Sequence, residues 1–274
     1  MIEVRTTDDP AEVLGEAGAF LLSRPVEHNV ILSILHSRIS HPEAGRYWWL
    51  LDHGSVAGVA MHTPFSFSAT ATPMSPELVR ALVAATDPPV PGFIGEAATA
   101  AAYAGAWAQR HRVPVVPTDG ERLFRLRGAR EVGRAPGALR PAAPGDRSVL
   151  IAWLDGFGAD TGHAPEDSDV VVDRYLDEHS AWLWIDEGPV AMARAAPVVG
   201  GVARIGPVYT PPERRGKGYA TTCVEQLSRH IEEGGHVAIL YTQLTNPTSN
   251  AIYARIGYEP VLEVLRYEFE PVPT

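Results

Sequence analysis

Arg214-Arg215-Gly216-Lys217-Gly218-Tyr219-Ala220 is the stretch on which the reading of this chain turns. It holds the only lysine among 274 residues; the other 22 of the 23 Lys+Arg side chains are arginine. The run Val202 to Tyr209 before it reads as a strand. Gly218 to Glu233 after it carries Cys223, Val224, Leu227 and Ile231 on one helical face. Strand, glycine-spaced basic turn and helix start together make an anion grip. Gly216 and Gly218 put no side chain in a ligand's way and admit positive φ, so the amides around them converge on one anion. The new helix adds the positive end of its dipole. Arg214, Arg215 and Lys217 add full charges, and a diphosphate is a matching ligand.

Other phosphate motifs do not fit. There is no Gly-x-x-x-x-Gly-Lys-Ser/Thr, and Thr221 stands where a dinucleotide fingerprint needs its third glycine. A Gly-x-Ser-x-Gly nucleophile elbow is missing as well. The histidines and acidic residues show no metal-ligand spacing.

The rest of the composition is ordinary for a globular protein: 45% hydrophobic and 20% charged. A net charge of -10 argues against a nucleic-acid partner, which needs a basic face. Cys223 is the single cysteine, so no internal disulfide forms, and its place on the apolar helix face reads as core. No apolar run reaches membrane-spanning length, and Met1 to Arg5 has no signal-sequence pattern. The expectation is a cytoplasmic protein without a membrane partner, monomeric or homodimeric.

Val132 to Arg147, rich in Gly, Pro, Ala and Arg, has the composition of a linker with no regular element. It suggests domains at 1–131 and 146–274 joined by 132–145. In the first half the pattern predicts a strand at Glu3 to Arg5 and a helix from Pro10 to His36. A hairpin follows, from Tyr47 to Thr63 through Asp52-His53-Gly54. Helices at Pro76 to Thr86 and Ala97 to Arg112 alternate with strands at Phe93-Ile94 and Glu121 to Arg127. The second half repeats the order. Helices near Arg147–Phe157 and Ser168–His179 precede a hairpin, Trp182 to Ala196, turning at Asp186-Glu187-Gly188. The strand before the basic turn, the helix after it and a buried strand at Val237 to Tyr241 come next. Pro247 to Ile256 is a short helix with Asn246 as its N-cap and Gly257 past its end. Tyr258 to Glu268 is the last strand.

The basic turn and the downstream segment resemble the GNAT acetyltransferase superfamily. Its loop signature, Arg/Gln-x-x-Gly-x-Gly/Ala, is matched by Arg215-Gly216-Lys217-Gly218-Tyr219-Ala220. Its later signature is an Asn, a helix bearing Tyr, then Gly-Phe/Tyr; here these are Asn246, Tyr253 and Gly257-Tyr258. The resemblance covers about Arg134 to Glu270. The first half is similar only in element order, because Ala69 to Ser75 replaces the basic turn. The implied fold class is α+β: two tandem GNAT-like domains, each a mostly antiparallel mixed sheet flanked by helices. The first would be a degenerate copy that does not bind the cofactor.

The resemblance also implies a reaction: transfer of an acetyl or other acyl group from acetyl-CoA to a primary amine of a small molecule, peptide or protein. The amides of Arg215, Gly216, Lys217, Gly218, Tyr219 and Ala220 would hold the pyrophosphate. The backbone at Val208, Tyr209 and Thr210 would pair with the pantetheine arm, and an amide of that strand would serve the oxyanion. Asn246 would bond the same arm, although an N-cap Asn needs no ligand. Tyr253 matches the family's general acid, because a phenol of reference pKa about 10 is protonated at neutral pH. A core aromatic between Ile252 and Ile256 is the other reading. No metal is implied. Asp155, Asp160, Glu166, Asp167 and Asp169 fall on the acceptor side, as a proton relay or as a solvated loop. Trp182 and Trp184 share a strand face, facing either core or acceptor. A non-catalytic acyl-CoA-binding or regulatory module is the competing function. An aminoacyl transferase using charged tRNA is disfavoured by the acidic charge.

Overall fold

The computed structural model describes residues 1–132, 135–162 and 167–270. In chain order the elements begin β1 (Ile2–Thr7), α1 (Pro10–Ser23), α2 (Asn29–Ser40), β2 (Arg46–Asp52), β3 (Ser55–His62) and β4 (Ala69–Ala71). Then come α3 (Pro76–Ala85), β5 (Gly92–Glu96), α4 (Ala97–His111) and β6 (Val115–Leu126). The order is then repeated: β7 (Ala138–Pro141), α5 (Arg147–Thr161), α6 (Ser168–Asp177), β8 (Ala181–Ile185), β9 (Pro189–Ala195) and β10 (Val202–Tyr209). It closes with α7 (Tyr219–Glu233), β11 (Val237–Gln243), α8 (Pro247–Ile256) and β12 (Tyr258–Phe269).

The chain forms two compact units. Unit 1 comprises 1–123, 242–245 and 261–274; unit 2 comprises 124–241 and 246–260. Unit 1 is therefore completed by residues from the chain's end, and β12 supplies it with a strand that runs antiparallel to β5, from Val264–Glu96 to Glu268–Gly92. Nothing in the local pattern of Tyr258 to Phe269 announces this, since strand pairing depends on which distant segment offers a free edge.

Unit 1 runs β1-β2-β3-β4-β5. The first three pairs are antiparallel and β4–β5 is parallel. The β2–β3 turn has His53 and Gly54 both at positive φ (50° and 82°), as a tight two-residue hairpin requires. The core stacks Trp48, Phe93, Tyr103, Trp107 and Phe269 with aliphatic residues of α3. Unit 2 repeats the scheme: β7-β8-β9-β10 antiparallel, then β10–β11 parallel. One core lies under α7, built on Cys223, Val224, Leu227, Ile231, Trp184 and Ile256. A second lies under α5 and α6. The predicted face of α7 is the buried one.

Three expectations need correction. The single helix from Pro10 to His36 is two helices, separated at 24–28. Pro25 has no amide to donate and disfavours helical geometry at Arg24, which adopts φ −138° and ψ 63°. The segment 132–145 is not free of regular structure, because Ala138–Pro141 forms β7 against β8. Gly137 lets it approach: a Cβ there would sit 2.1 Å from the Ile185 carbonyl oxygen. As an edge strand, β7 tolerates Pro141. Finally, Ala69–Ala71 forms β4, which at three residues is too short for its alternation to mark a strand.

Candidate donor site

β10 and α7 build the site in unit 2. The parallel pairing of β10 with β11 runs from Val202–Val237 only to Ile205–Leu240. On its other side β10 continues with β9 as far as Tyr209–Met192, across an irregularity between Ile205 and Val208. Val208 and Tyr209 thus have register partners on β9 alone. The edge of β10 on the β11 side is therefore open at Val208 and Tyr209. Thr210 follows, and its Oγ1 is buried with no hydrogen-bond partner among the described residues. A buried hydroxyl left unpaired costs about 1–3 kcal/mol, which a ligand's polar group can relieve.

The turn that follows has the backbone expected of it. Gly216 and Gly218 take φ +78° and +82°, and a Cβ at either would meet nothing within 4 Å. The glycines are therefore required by conformation and not by crowding. Gly218 is the N-cap of α7 and offers no capping side chain, so the first-turn amides of the helix are not satisfied by one. Arg214, Arg215, Gly216, Lys217 and Gly218 are all exposed, whereas Tyr219 is buried. An open, glycine-shaped helix start beside an unpaired hydroxyl fits a diphosphate and the arm attached to it.

The basic residues divide their work. Arg215 is anchored: its Nε donates to the Thr210 carbonyl at 2.9 Å, its guanidinium pairs with Asp160, and it lies 5.6 Å from the Tyr209 ring centroid. No ion pair among the described residues engages Arg214 or Lys217, so these keep their full charge for an anion. Asp160 lies at the end of α5, and Gly156 on the same helix admits the Tyr209 ring, since a Cβ there would stand 2.4 Å from its hydroxyl. At the helix start, the Tyr219 hydroxyl donates to Asp186 Oδ2, and that bond raises the phenol above its ordinary pKa. Neither Asp160 nor Asp186 was assigned this work from the sequence; each lies tens of residues from its partner and no local spacing marks it.

Tyr253, on α8, packs with Val208 against the cluster that contains Tyr219 and Cys223. Val208 and Tyr253 therefore border one and the same cluster, in which Tyr219 is buried. The Tyr253 ring meets that of Tyr258 edge-on at 6.0 Å. Burial, with a smaller effect from Cys223, pushes its phenol up to about 12. The Cys223 thiol, fully buried, is likewise pushed up to about 12, which fits an inert core residue. Asn246 caps α8, its Oδ1 accepting from the Ser249 amide at 3.0 Å. The cap therefore occupies only its oxygen.

The acidic residues near α5 and α6 are engaged. Asp155 accepts from Ser168, Asp167 caps α6 and Asp169 pairs with Arg147; Glu166 lies outside the described residues. Trp184 is buried in the core with its Nε1 on the Pro136 carbonyl at 2.9 Å, and Trp182, partly buried, packs against that core and on His230. Among the described residues no group of His, Cys, Asp and Glu is placed to hold a metal, and no helix is long and apolar enough to cross a membrane.

Comparison with known proteins bears on this geometry. A family model described as FR47-like protein matches residues 191–267, which span β9 to β12 and include the loop and Tyr253. No curated protein matches the chain in sequence. Solved structures match it over nearly its whole length. A GCN5-related N-acetyltransferase from Sphaerobacter thermophilus is similar at TM-score 0.66 and 13% identity, covering 99% of this chain and 97% of that one. The chain has the GNAT acetyltransferase fold. A GNAT-family acetyltransferase from Colwellia psychrerythraea aligns at TM-score 0.63 and 11% identity, covering 98% and 100%. A Drosophila protein aligns at TM-score 0.67 and 14% identity, covering 98% and 99%. At these identities the likeness concerns the fold. Full-length coverage agrees with two GNAT-like units in tandem, the second of which carries most of the FR47-like region.

Proposed function

We propose that this protein is an acetyl-CoA-dependent N-acetyltransferase acting on a primary amine of a small molecule, peptide or protein. One observation carries the reading: α7 starts at an uncapped, glycine-spaced basic turn that follows a strand whose parallel partner has ended. Bound there, acetyl-CoA supplies an acyl carbon to which the amine nitrogen adds, giving a tetrahedral oxyanion that collapses as the carbon–sulfur bond breaks.

The residues divide the work accordingly. The amides from Gly216 to Ala220 receive the pyrophosphate; that of Arg215, expected to join them, is instead donated to the Pro212 carbonyl at 3.2 Å, so Arg215 braces the turn against Thr210 and Asp160 while Arg214 and Lys217 add charge. The backbone of Val208 to Thr210 pairs with the pantetheine arm as a neighbouring strand would, and the amide nitrogen of Asn246 donates to the same arm. The Val208 amide faces the oxyanion; being part of a strand, it is aimed in advance and needs no reorganisation. The amine's surplus proton leaves to solvent.

Tyr253 serves the departing sulfur, and its environment defines how. At about 12 the phenol is neutral across the working pH range. It also lies well above a thiol of about 8.5, so complete proton transfer from it is uphill. Its contribution is then a hydrogen bond to the developing thiolate, with solvent restoring the proton. This gives Tyr253 a modest share of the rate, the larger share coming from positioning.

A thiol-release assay with acetyl-CoA against polyamines, amino acids, aminoglycosides and peptide N-termini, run beside calorimetric CoA binding, tests the proposal. Turnover on at least one amine is expected. Tight CoA binding with no turnover on any acceptor leaves only the acyl-CoA-binding module, and an absence of CoA binding overturns both.

A further inference from the structure

Unit 1 contains a cavity of about 460 Å³, within the range of small-molecule sites of roughly 300–1,000 Å³. The turn between α1 and α2 contributes Arg24 and Glu27, the approach to α3 contributes Met74, and the end of β5 contributes Glu96. Val261 and Leu262 complete the wall. In unit 2 the end of α5 and the approach to α7 hold the corresponding places in the element order, and they meet at Arg215 and Asp160. The cavity thus stands where the repeated fold gathers its loops, but its chemistry differs.

Anions find no grip there. The Met74 amide is already donated to Thr99 Oγ1 at 3.0 Å. At α3, Ser75 takes the Leu78 amide, Pro76 has none to give, and Glu77 sits in the first turn. At α4, Glu96 itself takes the Ala98 and Thr99 amides at 3.0 and 2.9 Å. The charges lining the cavity are two carboxylates against one guanidinium, with Arg24 and Glu27 3.1 Å apart. Glu96 is ionised: burial works against its charge, but the hydrogen bonds from Thr99 and Ala98 outweigh it and hold the carboxyl below its usual range. Those bonds use Oε2 twice and Oε1 once, which leaves Oε1 an accepting lone pair. Met74 is seated over Gly58, where a Cβ would lie 2.6 Å from its methyl carbon.

We propose that this cavity binds a small organic ammonium ion, its charged head between Glu27 and Glu96 and its hydrocarbon arm on Met74, Val261 and Leu262. The site is separate from the donor site and needs no acyl transfer, so it stands or falls independently of the proposed function.

Titration of the full chain with phenethylammonium in the absence of acetyl-CoA, followed by calorimetry or NMR, tests it, with 2-phenylethanol and 3-phenylpropionate as controls. Saturable binding of the ammonium is expected, with weaker binding of the alcohol and none of the carboxylate. Arg24→Gln should tighten binding and Glu27→Gln weaken it, each about three- to fivefold, the scale of a partly exposed charge pair. Both substitutions break the same ion pair, so a merely structural effect moves them together; opposite shifts isolate the charge. The proposal is overturned if the carboxylate binds as well as the ammonium, if binding is not saturable, or if the two variants shift together or not at all.

Discussion

Two helix starts, reached through the same order of elements, differ in what they leave for a ligand. Before α3 the chain runs Ala69 to Ser75; Ser75 caps the helix, Pro76 replaces an amide and Glu77 brings a negative charge to the positive end. Before α7 it runs Thr210 to Gly218; the cap is a glycine at φ +82°, the amides are unclaimed by any capping side chain, and Arg214 and Lys217 stand beside them. Both are sound ways to begin a helix. A side-chain cap satisfies the helix from within, whereas a glycine turn leaves that work to water or to an anion. The repeated architecture therefore says little about where a phosphate binds, and a handful of residues at one turn says nearly all of it.

Gly218→Val makes the most severe test of the contrast. A β-branched residue is strained at this φ and its branches reach toward the incoming ligand. Acetyl-CoA affinity should fall about 100-fold, roughly 2.7 kcal/mol, with the far-UV spectrum unchanged. An affinity within a few-fold of wild type would mean that the turn does not grip the diphosphate. Tyr253→Phe comes next: kcat should drop about tenfold to thirtyfold while the acetyl-CoA KM stays within about twofold. Because the phenol titrates at about 12, the variant's pH–rate profile should keep the wild-type shape and merely be scaled down. An alkaline limb that vanishes with the hydroxyl would contradict this.

Smaller effects sharpen the division among the basic residues. Lys217→Ala should weaken acetyl-CoA binding about fivefold and Lys217→Arg hardly at all, since the lysine acts as a point charge that arginine can replace. If Lys217→Arg were as weak as Lys217→Ala, the lysine would be doing something more specific than neutralising phosphate. The slightest change belongs to the other helix start. Ser75→Ala removes a cap worth about 0.5–1 kcal/mol, so the Tm should fall by a few degrees, with CoA affinity untouched. Any loss of CoA binding would place unit 1 in the donor site after all.

How far the sequence could be read depended on the reach of each interaction. The α7 face, the hairpin turns and the α8 cap are set within a few residues of chain, and all three were legible. Pro25 was equally local, yet the apolar spacing across Pro10 to His36 hid the break it enforces. The β7 strand was not legible, because its composition is that of a loop and only the edge of β8 makes it a strand. Arg215 was read correctly as part of the turn, but its anchor on Asp160 joins residues on α5 and on the loop that nothing local connects.

By itself the sequence determined most of the order of elements, the glycine turn and its charges, and the tyrosine on α8, because backbone conformation and helix periodicity are short-range properties of the chain. Tertiary structure alone decided the end of β10–β11 pairing at Ile205, the burial that raises Tyr253, the engagement of Arg215 with Asp160, and the assignment of most of the last strand to unit 1. Each of these depends on which distant segments meet, and pairing partners, desolvation and enclosed space come into being only when they do.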